Sequence, residues 1–401
     1  MPALLQNIFL YPLSFVLVLS IVVFVHEFGH FQVARWRKVA IDTFSIGFGK
    51  TIFGWRDKHG VQWKVGALPL GGYVKFADDA DPMSTGPAER IDDPEALAEA
   101  KRKGLFHAQG LTTRSLVVAA GPVTNFIFSI AVFAALAMAF GSDNTDIAKI
   151  PARIASVSPN SAASAAGLQA HDVIRTVNGA PVAAYVDLQK IILVSAGRPL
   201  TLQVERGGHM ITLTATPRRA PHDINNVHAG QGMLGVLGPE VLPSEQVLKR
   251  YNPLEAIGVG AVRSWTMVAQ TATYVADIVT GKASGNQIAG PTGIFMVSGQ
   301  VASSALDVPD TSLLQRIGIL AVSLLNLAAI LSVAVGIVNL LPIPILDGGH
   351  LLFYGIEGLR GGKPLPASAQ EWAYRAGFAV MASLFLFATW NDIARLLPGA
   401  Q

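Results

Sequence analysis

Residues 14–36 read SFVLVLSIVVFVHEFGHFQVARW, an apolar run that carries an H-E-x-x-H motif near its end. On a helix, positions i and i+4 lie nearly above each other, so His26 and His30 can reach one zinc ion. Glu27 is offset by one residue, where its carboxylate can take a proton from a metal-bound water. Ionisable groups within an apolar span are costly and usually functional. We therefore expect a catalytic metal site here rather than a chance match.

The composition predicts a membrane protein. Of the 401 residues, 51% are hydrophobic and 14% are charged, whereas soluble domains carry about a quarter charged residues. Three stretches are longer than the roughly 20 apolar residues that a spanning helix needs, and a fourth, 376–391, has 16 residues between charges. We assign the transmembrane helices to residues 1–34, 115–142, 316–346 and 372–397. The first stretch lacks a basic n-region and a small-residue cleavage site, so we interpret it as a mature span rather than a signal peptide.

The distribution of basic residues predicts the topology. Residues 35–114 hold 13 Lys and Arg, whereas the segment before the first span holds none. The positive-inside rule then puts this loop in the cytoplasm and both termini outside. On that topology the first and third spans run in the same direction. Their C-terminal ends, which carry HEFGH and LDGG, should emerge on one face, toward the cytoplasmic side.

Two histidines leave zinc one protein ligand short of a catalytic set, so a third ligand is required. We predict Asp347, which follows the third span in NLLPIPILDGGH, and His350 is the competing candidate. Pro342 and Pro344 break the helix, which at membrane depth is tolerated beside a wet cavity. Asn339 can donate to an oxyanion, or it can serve as an interhelical hydrogen-bond partner.

The segment between the second and third spans divides into two parts. We assign residues 143–240 to one domain, within which 151–217 show short β-branched runs with turn signals at Asn178-Gly179 and Gly207-Gly208, a pattern that predicts a small, mostly β domain. Residues 241–315 form a periplasmic or interfacial segment, and we interpret 253–282 as an amphipathic helix rather than a fifth span. The chain has no cysteine, and its formal charge of +3 with no basic-aromatic run argues against nucleic acid as a partner.

These motifs resemble the site-2 protease family of intramembrane metalloproteases, in particular its bacterial regulator-of-sigma-E branch. HEFGH and NLLPIPILDGG match the family's zinc and N-x-x-P-x-P-x-L-D-G signatures, and AAGPVTNF at 119–126 is similar to its second-span motif. The resemblance implies one zinc per chain, with His26, His30 and Asp347 as ligands. It also implies that Glu27 is the base and that Asn339 assists the substrate or oxyanion.

The resemblance also extends to the two β regions. GALPLGGYVKF at 66–76 is similar to the family's membrane-associated β-hairpin, which we place at 60–76 within the cytoplasmic loop 35–114. Residues 151–217 resemble a circularly permuted PDZ domain, although well-known members carry two in tandem and this chain has room for one. A strand edge can hold an unwound substrate by β-augmentation. The predicted substrate-binding residues are Gly66, Leu68, Pro69, Leu70, Gly71, Gly72, Tyr73 and Asn125.

The expected fold is a polytopic α-helical membrane protein with four transmembrane helices, a membrane-associated β-hairpin and one inserted extracytoplasmic PDZ-like domain. The expected protein is a zinc-dependent intramembrane endopeptidase of the bacterial inner membrane. Its substrates would be single-span proteins, such as anti-sigma factors trimmed by an earlier protease, with the PDZ-like domain as a gate or as a binder of C-terminal tails. Two alternatives are a scaffold with a closed, four-ligand zinc site and a metal transporter with several intramembrane acids.

Overall fold

The computed structural model describes residues 3–77, 93–219, 231–281, 285 and 290–396. The helices are α1 (Ala3–Trp36), α2 (Pro94–Arg102), α3 (Leu111–Phe140), α4 (Ala162–Ala165), α5 (Tyr185–Val194), α6 (Pro253–Val279), α7 (Pro291–Leu306), α8 (Leu313–Asn339), α9 (Asp347–Leu359) and α10 (Ala367–Leu396). The strands are β1 (Ile41–Arg56), β2 (Gln62–Phe76), β3 (Ser142–Asp143), β4 (Ser156–Val157), β5 (Val173–Val177), β6 (Ala180–Pro181), β7 (Leu200–Arg206), β8 (His209–Ala215), β9 (Arg218–Arg219), β10 (Gly232–Met233), β11 (Val236–Leu237) and β12 (Leu248–Lys249).

Four of these helices are long and apolar enough to cross a membrane, which confirms the predicted number of spans. They cover Ile8–Trp36, Leu111–Phe140, Leu313–Asn339 and Ala367–Ala394. The third ends seven residues before the predicted boundary of 346. A proline has no N–H to donate to the preceding turn, so the prolines in 340–346 prevent the helix from continuing. The charge-free stretch therefore continues beyond the C-terminal end of the helix.

The chain forms two compact units, of which the first comprises residues 1–136, 253–272 and 288–401. Its core contains a helix that the sequence did not reveal. α7 packs between α1 and α8, where Ala302 joins Val18 and Leu324 in one buried cluster. Gly299 lies directly against the ring of Tyr11, so no side chain fits at that position. Short, small residues let α7 approach α1 closely.

The first part of α6 also belongs to this unit. Gly260 packs against the backbone of Ile130 on α3. The Arg263 guanidinium lies 4.2 Å from the centroid of the Phe133 ring and donates to Asn326 Oδ1 at 3.2 Å. α6 thus corresponds to the helix predicted at 253–282, and it is not among the four described helices that are long and apolar enough to cross a membrane. Arg263 is exposed, and it places its charge over the face of the buried Phe133 ring.

The hairpin is larger than the predicted 60–76 because its first strand is β1. Phe44 pairs with both Val74 and Trp63, so residues 41–46 lie between 62–65 on one side and 72–76 on the other. Residues 51–56 pair with the outer side of 62–66. The strands thus fold back on themselves, and, among the described residues, 72–76 form the outermost segment on that side of the sheet. Aromatic side chains hold the sheet to α1, since Phe44 and Trp63 pack on Phe31.

The second unit comprises residues 137–252 and 273–287. It contains an antiparallel sheet in the order β6-β5-β7-β8, and its core includes Ile174, Leu188 and Leu202, all fully buried. Both predicted hairpin turns are confirmed. Asn178-Gly179 joins β5 to β6 and Gly207-Gly208 joins β7 to β8, each pair with two positive φ angles. The second unit thus contains an antiparallel sheet with its own core, and the assignment of 143–240 to one PDZ-like domain stays a prediction.

Candidate active site

The two histidines of the HExxH motif face a common point on the inner side of α1. Their Nε2 atoms are 3.2 Å apart. The opposite nitrogen of each ring contacts α3, where His30 Nδ1 lies 2.8 Å from the carbonyl oxygen of Val117 and His26 Nδ1 lies 3.1 Å from the amide of Asn125. α3 therefore orients both rings and leaves the two Nε2 atoms available as ligands.

Two glycines let α1 and α3 approach closely enough for these contacts. A Cβ atom on Gly29 would lie 2.5 Å from the carbonyl oxygen of Ala120. A Cβ atom on Gly121 would overlap His30 Nε2 and would lie 2.8 Å from His26 Cε1. Real Cβ atoms essentially never show contacts under 3.0 Å. A side chain at position 121 would therefore clash with the candidate ligands, and only glycine leaves room for them.

Asp347 reaches the same point from the first turn of α9. The next two residues explain how, because a Cβ atom on Gly348 or Gly349 would collide with the backbone of residues 340–344. The two glycines let the helix start against the turn that precedes it. Burial alone would raise the pKa of Asp347, but His30 and His26 outweigh burial and hold it well below the usual value.

The three side chains fit a zinc ion. Asp347 Oδ2 lies 3.2 Å from His26 Nε2 and 3.5 Å from His30 Nε2. A tetrahedral site with ligands at about 2.0–2.1 Å requires ligand atoms about 3.3 Å apart. Asp347 Oδ2 is also buried without a hydrogen-bond partner among the described residues. Three ligands that converge at this spacing match a catalytic site, which keeps one position open.

The competing ligand, His350, is not in this group. Within the part of the chain that the structure describes, the only group of three or more metal-ligating side chains is His26, His30 and Asp347. His350 instead lies among aromatic rings, with centroid distances of 6.0 Å to Tyr374 and 6.5 Å to Tyr354.

The predicted base lies between the ligands and the edge of the sheet at residues 72–76. The Glu27 carboxyl interacts electrostatically with His26, His30 and Asp347, and with the backbone of Val74. A Cβ atom on Gly72 would lie 3.0 Å from Glu27 Cγ. The edge 72–76 therefore passes next to the base, and glycine at position 72 allows this approach.

The predicted substrate-binding residues lie along β2, with the exception of Asn125. Leu68 is 56% exposed, whereas Gly66 is buried against the carbonyl oxygen of Phe48. Gly71 has a φ of +106°, and Tyr73 stacks on the Phe48 ring at 5.9 Å. Two further side chains lie outside the described residues, those of Pro69 and Leu70.

The two predicted asparagines have different surroundings. Asn339 is the last residue of α8 and is half-buried. Its side-chain amide makes no hydrogen bond to the rest of the described chain. Its oxyanion role remains a prediction. Asn125 is fully buried, and its nearest polar side-chain partner is His26. The substrate contact that the resemblance implies for Asn125 also remains a prediction, but this position exposes no surface to a substrate.

Sequence reasoning missed an ion pair that holds α9 in place. Arg114, near the start of α3, donates to both carboxylate oxygens of Glu357 at 2.6 and 3.2 Å. Its guanidinium also lies 4.8 Å from the centroid of the Tyr354 ring. α9 begins at Asp347, so this contact helps to fix the helix that delivers the third ligand. The two charges are 243 positions apart, and no local pattern links them.

Residues 14–384 match the family model described as Peptidase family M50. The chain belongs to peptidase family M50. The matched range includes the HExxH motif, both β regions and Asp347, so the candidate site lies inside it. The M50 chain is an intramembrane zinc metalloprotease.

Three bacterial relatives are similar to this M50 peptidase over almost its whole length. A Rhizobium meliloti protein whose name is that of a zinc metalloprotease is 40% identical over 381 residues, covering 95% of each chain. Metalloprotease MmpA of Caulobacter vibrioides is 37% identical over 388 residues and 95% of each chain. Regulator of sigma-E protease RseP of Escherichia coli is 30% identical, covering 96% of this chain and 98% of RseP.

Proposed function

We propose that this M50 peptidase binds one zinc ion per chain through His26, His30 and Asp347 and hydrolyses peptide bonds of single-span membrane proteins. The observation that carries the proposal is the convergence of the three ligand atoms, all within 4.8 Å of one another. When bound, zinc supplies Lewis-acid chemistry, since it lowers the pKa of a coordinated water to roughly 7 and polarises a carbonyl. A scaffold role is disfavoured because a structural zinc site needs four protein ligands.

Glu27 is the general base in this proposal. Its carboxylate takes a proton from the attacking water as the water oxygen bonds to the scissile carbonyl carbon. The same proton is then delivered to the amide nitrogen as the C–N bond breaks. The position of Glu27 between the ligands and the sheet edge supports this role. Asn339 would donate to the developing oxyanion from the end of α8.

The edge at residues 72–75 is the proposed substrate platform. A transmembrane helix keeps its carbonyl groups in its own hydrogen bonds, so it must be unwound before water can attack. An unwound segment can be held by an unpaired strand edge through main-chain hydrogen bonds. Residues 72–75 pair with β1 on one side and with no second strand among the described residues, and Gly72 and the backbone of Val74 bring this edge next to Glu27. These two features support β-augmentation at this edge.

The charge distribution supports a bacterial inner-membrane location with the active site toward the cytoplasm. The 13 basic residues in 35–114 favour a cytoplasmic loop, and the second unit would then be periplasmic. We propose that this unit is a single PDZ-like domain that restricts access to trimmed substrates. RseP aligns over 476 positions although this chain has 401 residues, so RseP carries additional residues inside the aligned region. Anti-sigma factors are the proposed substrate class.

The test is cleavage of a tagged single-span substrate by the purified full chain in detergent. Glu27→Gln should abolish cleavage and retain zinc, whereas the matched change Glu99→Gln on the exposed helix α2 should leave both unchanged. A chelator should stop cleavage by the wild-type protein, and added zinc should restore it. Continued cleavage by Glu27→Gln would refute the proposal.

A further inference from the structure

The side chain of Asn125 on α3 contacts the ring of the candidate ligand His26 at Nδ1, the nitrogen that faces away from the ligand cluster. It is fully buried, and its amide lies 3.1 Å from His26 Nδ1. The other nitrogen of the same ring, Nε2, faces His30 and Asp347 at 3.2 Å each. The ring therefore lies between the ligand cluster on one side and a single amide on the other.

The chemistry of a zinc ligand dictates what that amide must do. A neutral imidazole that coordinates through Nε2 carries its proton on Nδ1, so Nδ1–H needs an acceptor. His30 has one, because its Nδ1 lies 2.8 Å from the carbonyl oxygen of Val117. For His26 the side chain in that place is Asn125, and its acceptor atom is Oδ1. The two rings would then share one tautomer, fixed from α3 in both cases.

The orientation of the Asn125 amide can satisfy this requirement. Its Oδ1 is buried and makes no hydrogen bond among the described residues, while Nδ2 faces His26 Nδ1. In this orientation the donor Nδ2 faces the ring and the acceptor Oδ1 does not. With the proton on Nδ1, a half-turn of the amide lets Oδ1 accept it.

The backbone at Asn125 is held firmly enough to position the ring. Its carbonyl oxygen accepts hydrogen bonds from Ser129 at 2.8 Å and from Ser332 on α8 at 3.2 Å. A Cβ atom on Gly336 of α8 would lie 3.4 Å from the Asn125 Cβ. The asparagine is thus fixed at the junction of α1, α3 and α8, behind the site rather than in it.

We propose that Asn125 is a positioning residue that holds His26 in the Nε2-ligating tautomer by accepting its Nδ1 proton. The proposal rests on the proposed zinc site and assigns Asn125 a role toward the metal ligand instead of the substrate. Partners of this kind typically change metal affinity by 10–100-fold when they are removed. The loss should appear in zinc binding itself, before any substrate is present.

Zinc affinity of the purified full chain, measured by competition with a chromophoric chelator, tests this role. Asn125→Leu, which is similar in size but has no acceptor, should weaken binding by about 10–100-fold. Asn125→Asp keeps an oxygen acceptor and should restore affinity to at least the wild-type level. Ser129→Ala is the matched control, because it loosens the same helix junction without touching His26, and it should bind zinc as the wild-type protein does.

The outcomes separate this inference from the function on which it rests. Wild-type affinity in Asn125→Leu, or an equal loss in Asn125→Asp and Asn125→Leu, would overturn the positioning role. Thermal denaturation of each metal-free variant identifies any that fails to fold, and the cobalt absorption spectrum of the remaining variants then reports the ligand geometry. A wild-type chain that binds no zinc would instead refute the proposed function.

Discussion

Replacing Gly121 by alanine adds one methyl group inside the candidate active site. The new Cβ atom would overlap His30 Nε2, would lie 2.6 Å from His30 Cε1 and would lie 2.8 Å from His26 Cε1. Ordinary carbon contacts are about 3.5–4.0 Å, so the two rings would have to move by about 1 Å. Their freedom is small, because Val117 and Asn125 hold them from behind.

The expected consequence is a large functional loss with a moderate loss of stability. A misplacement of about 1 Å in a catalytic site can cost on the order of 100-fold in rate. Overpacking by one methyl group typically costs about 1–3 kcal/mol of stability, so the protein should still fold. We expect Gly121→Ala to reduce both zinc affinity and substrate cleavage by roughly 100-fold.

The assay combines chelator competition, cleavage of a tagged single-span substrate and thermal denaturation in detergent. Gly318→Ala is the matched control, because it is also a helical glycine in a candidate span but has open space around the added Cβ atom. It should keep wild-type zinc affinity and cleavage. If Gly121→Ala also kept wild-type zinc affinity and cleavage, the inference that α3 packs tightly against the ligands would be refuted.

Three further changes test the supporting structure. Arg114→Met should lower the denaturation temperature, because it leaves the nearly buried Glu357 unpaired, and breaking a buried pair costs about 3–5 kcal/mol. Adding Glu357→Leu should recover most of this stability. If it recovered none, the loss of the ion pair would not be the cause. Asp392→Ala removes the acceptor for two backbone N–H groups at the start of α7 and should cost about 1 kcal/mol, and an unchanged denaturation temperature would contradict the cap. The hydrogen bond from Arg153 lowers the pKa of Glu245 from its ordinary value. The stabilisation from this ion pair is therefore present above the ordinary pKa and is lost as the pH falls through the lowered one. The second unit should therefore melt earlier in acid, and Glu245→Gln should flatten the pH dependence; an equally steep dependence in that variant would refute the assignment.

The parts of the site that follow a local period could be predicted from the sequence. His26 and His30 are one helical turn apart, and that spacing alone places both rings on one face. Asp347 required one further step, the parity of the membrane crossings, and its oxygen lies 3.2 Å from His26 Nε2. The four spans could be predicted because a helix that crosses a bilayer must be long enough and must carry few or no charged residues.

The missed parts depend on contacts between distant residues. α7 has 16 residues with Ser298, Gly299 and Ala302 on its buried face, so it shows neither a long apolar run nor a strong stripe. β1 escaped notice because its strand bends at Gly47 and Gly49 and pairs twice with β2, a register that only the folded sheet defines. Small residues that are selected for close approach carry no hydrophobic signal.

The partners of the ligands were missed for the same reason. Asn125 and His26 are 99 positions apart, and Arg114 and Glu357 are 243 apart. The resemblance assigned Asn125 to the substrate because it lies in a familiar motif. Its burial against an imidazole could be recognised only from the packing of α3 on α1.

The zinc content of the purified wild-type chain and of its Asp347→Ala variant tests the convergence of the three ligands most directly. We expect one zinc per wild-type chain and a nearly metal-free variant that retains its fold, because two imidazoles do not complete a catalytic ligand set. His350→Ala, which removes the competing ligand, should keep one zinc. A full complement of zinc in Asp347→Ala together with its loss in His350→Ala would contradict the account.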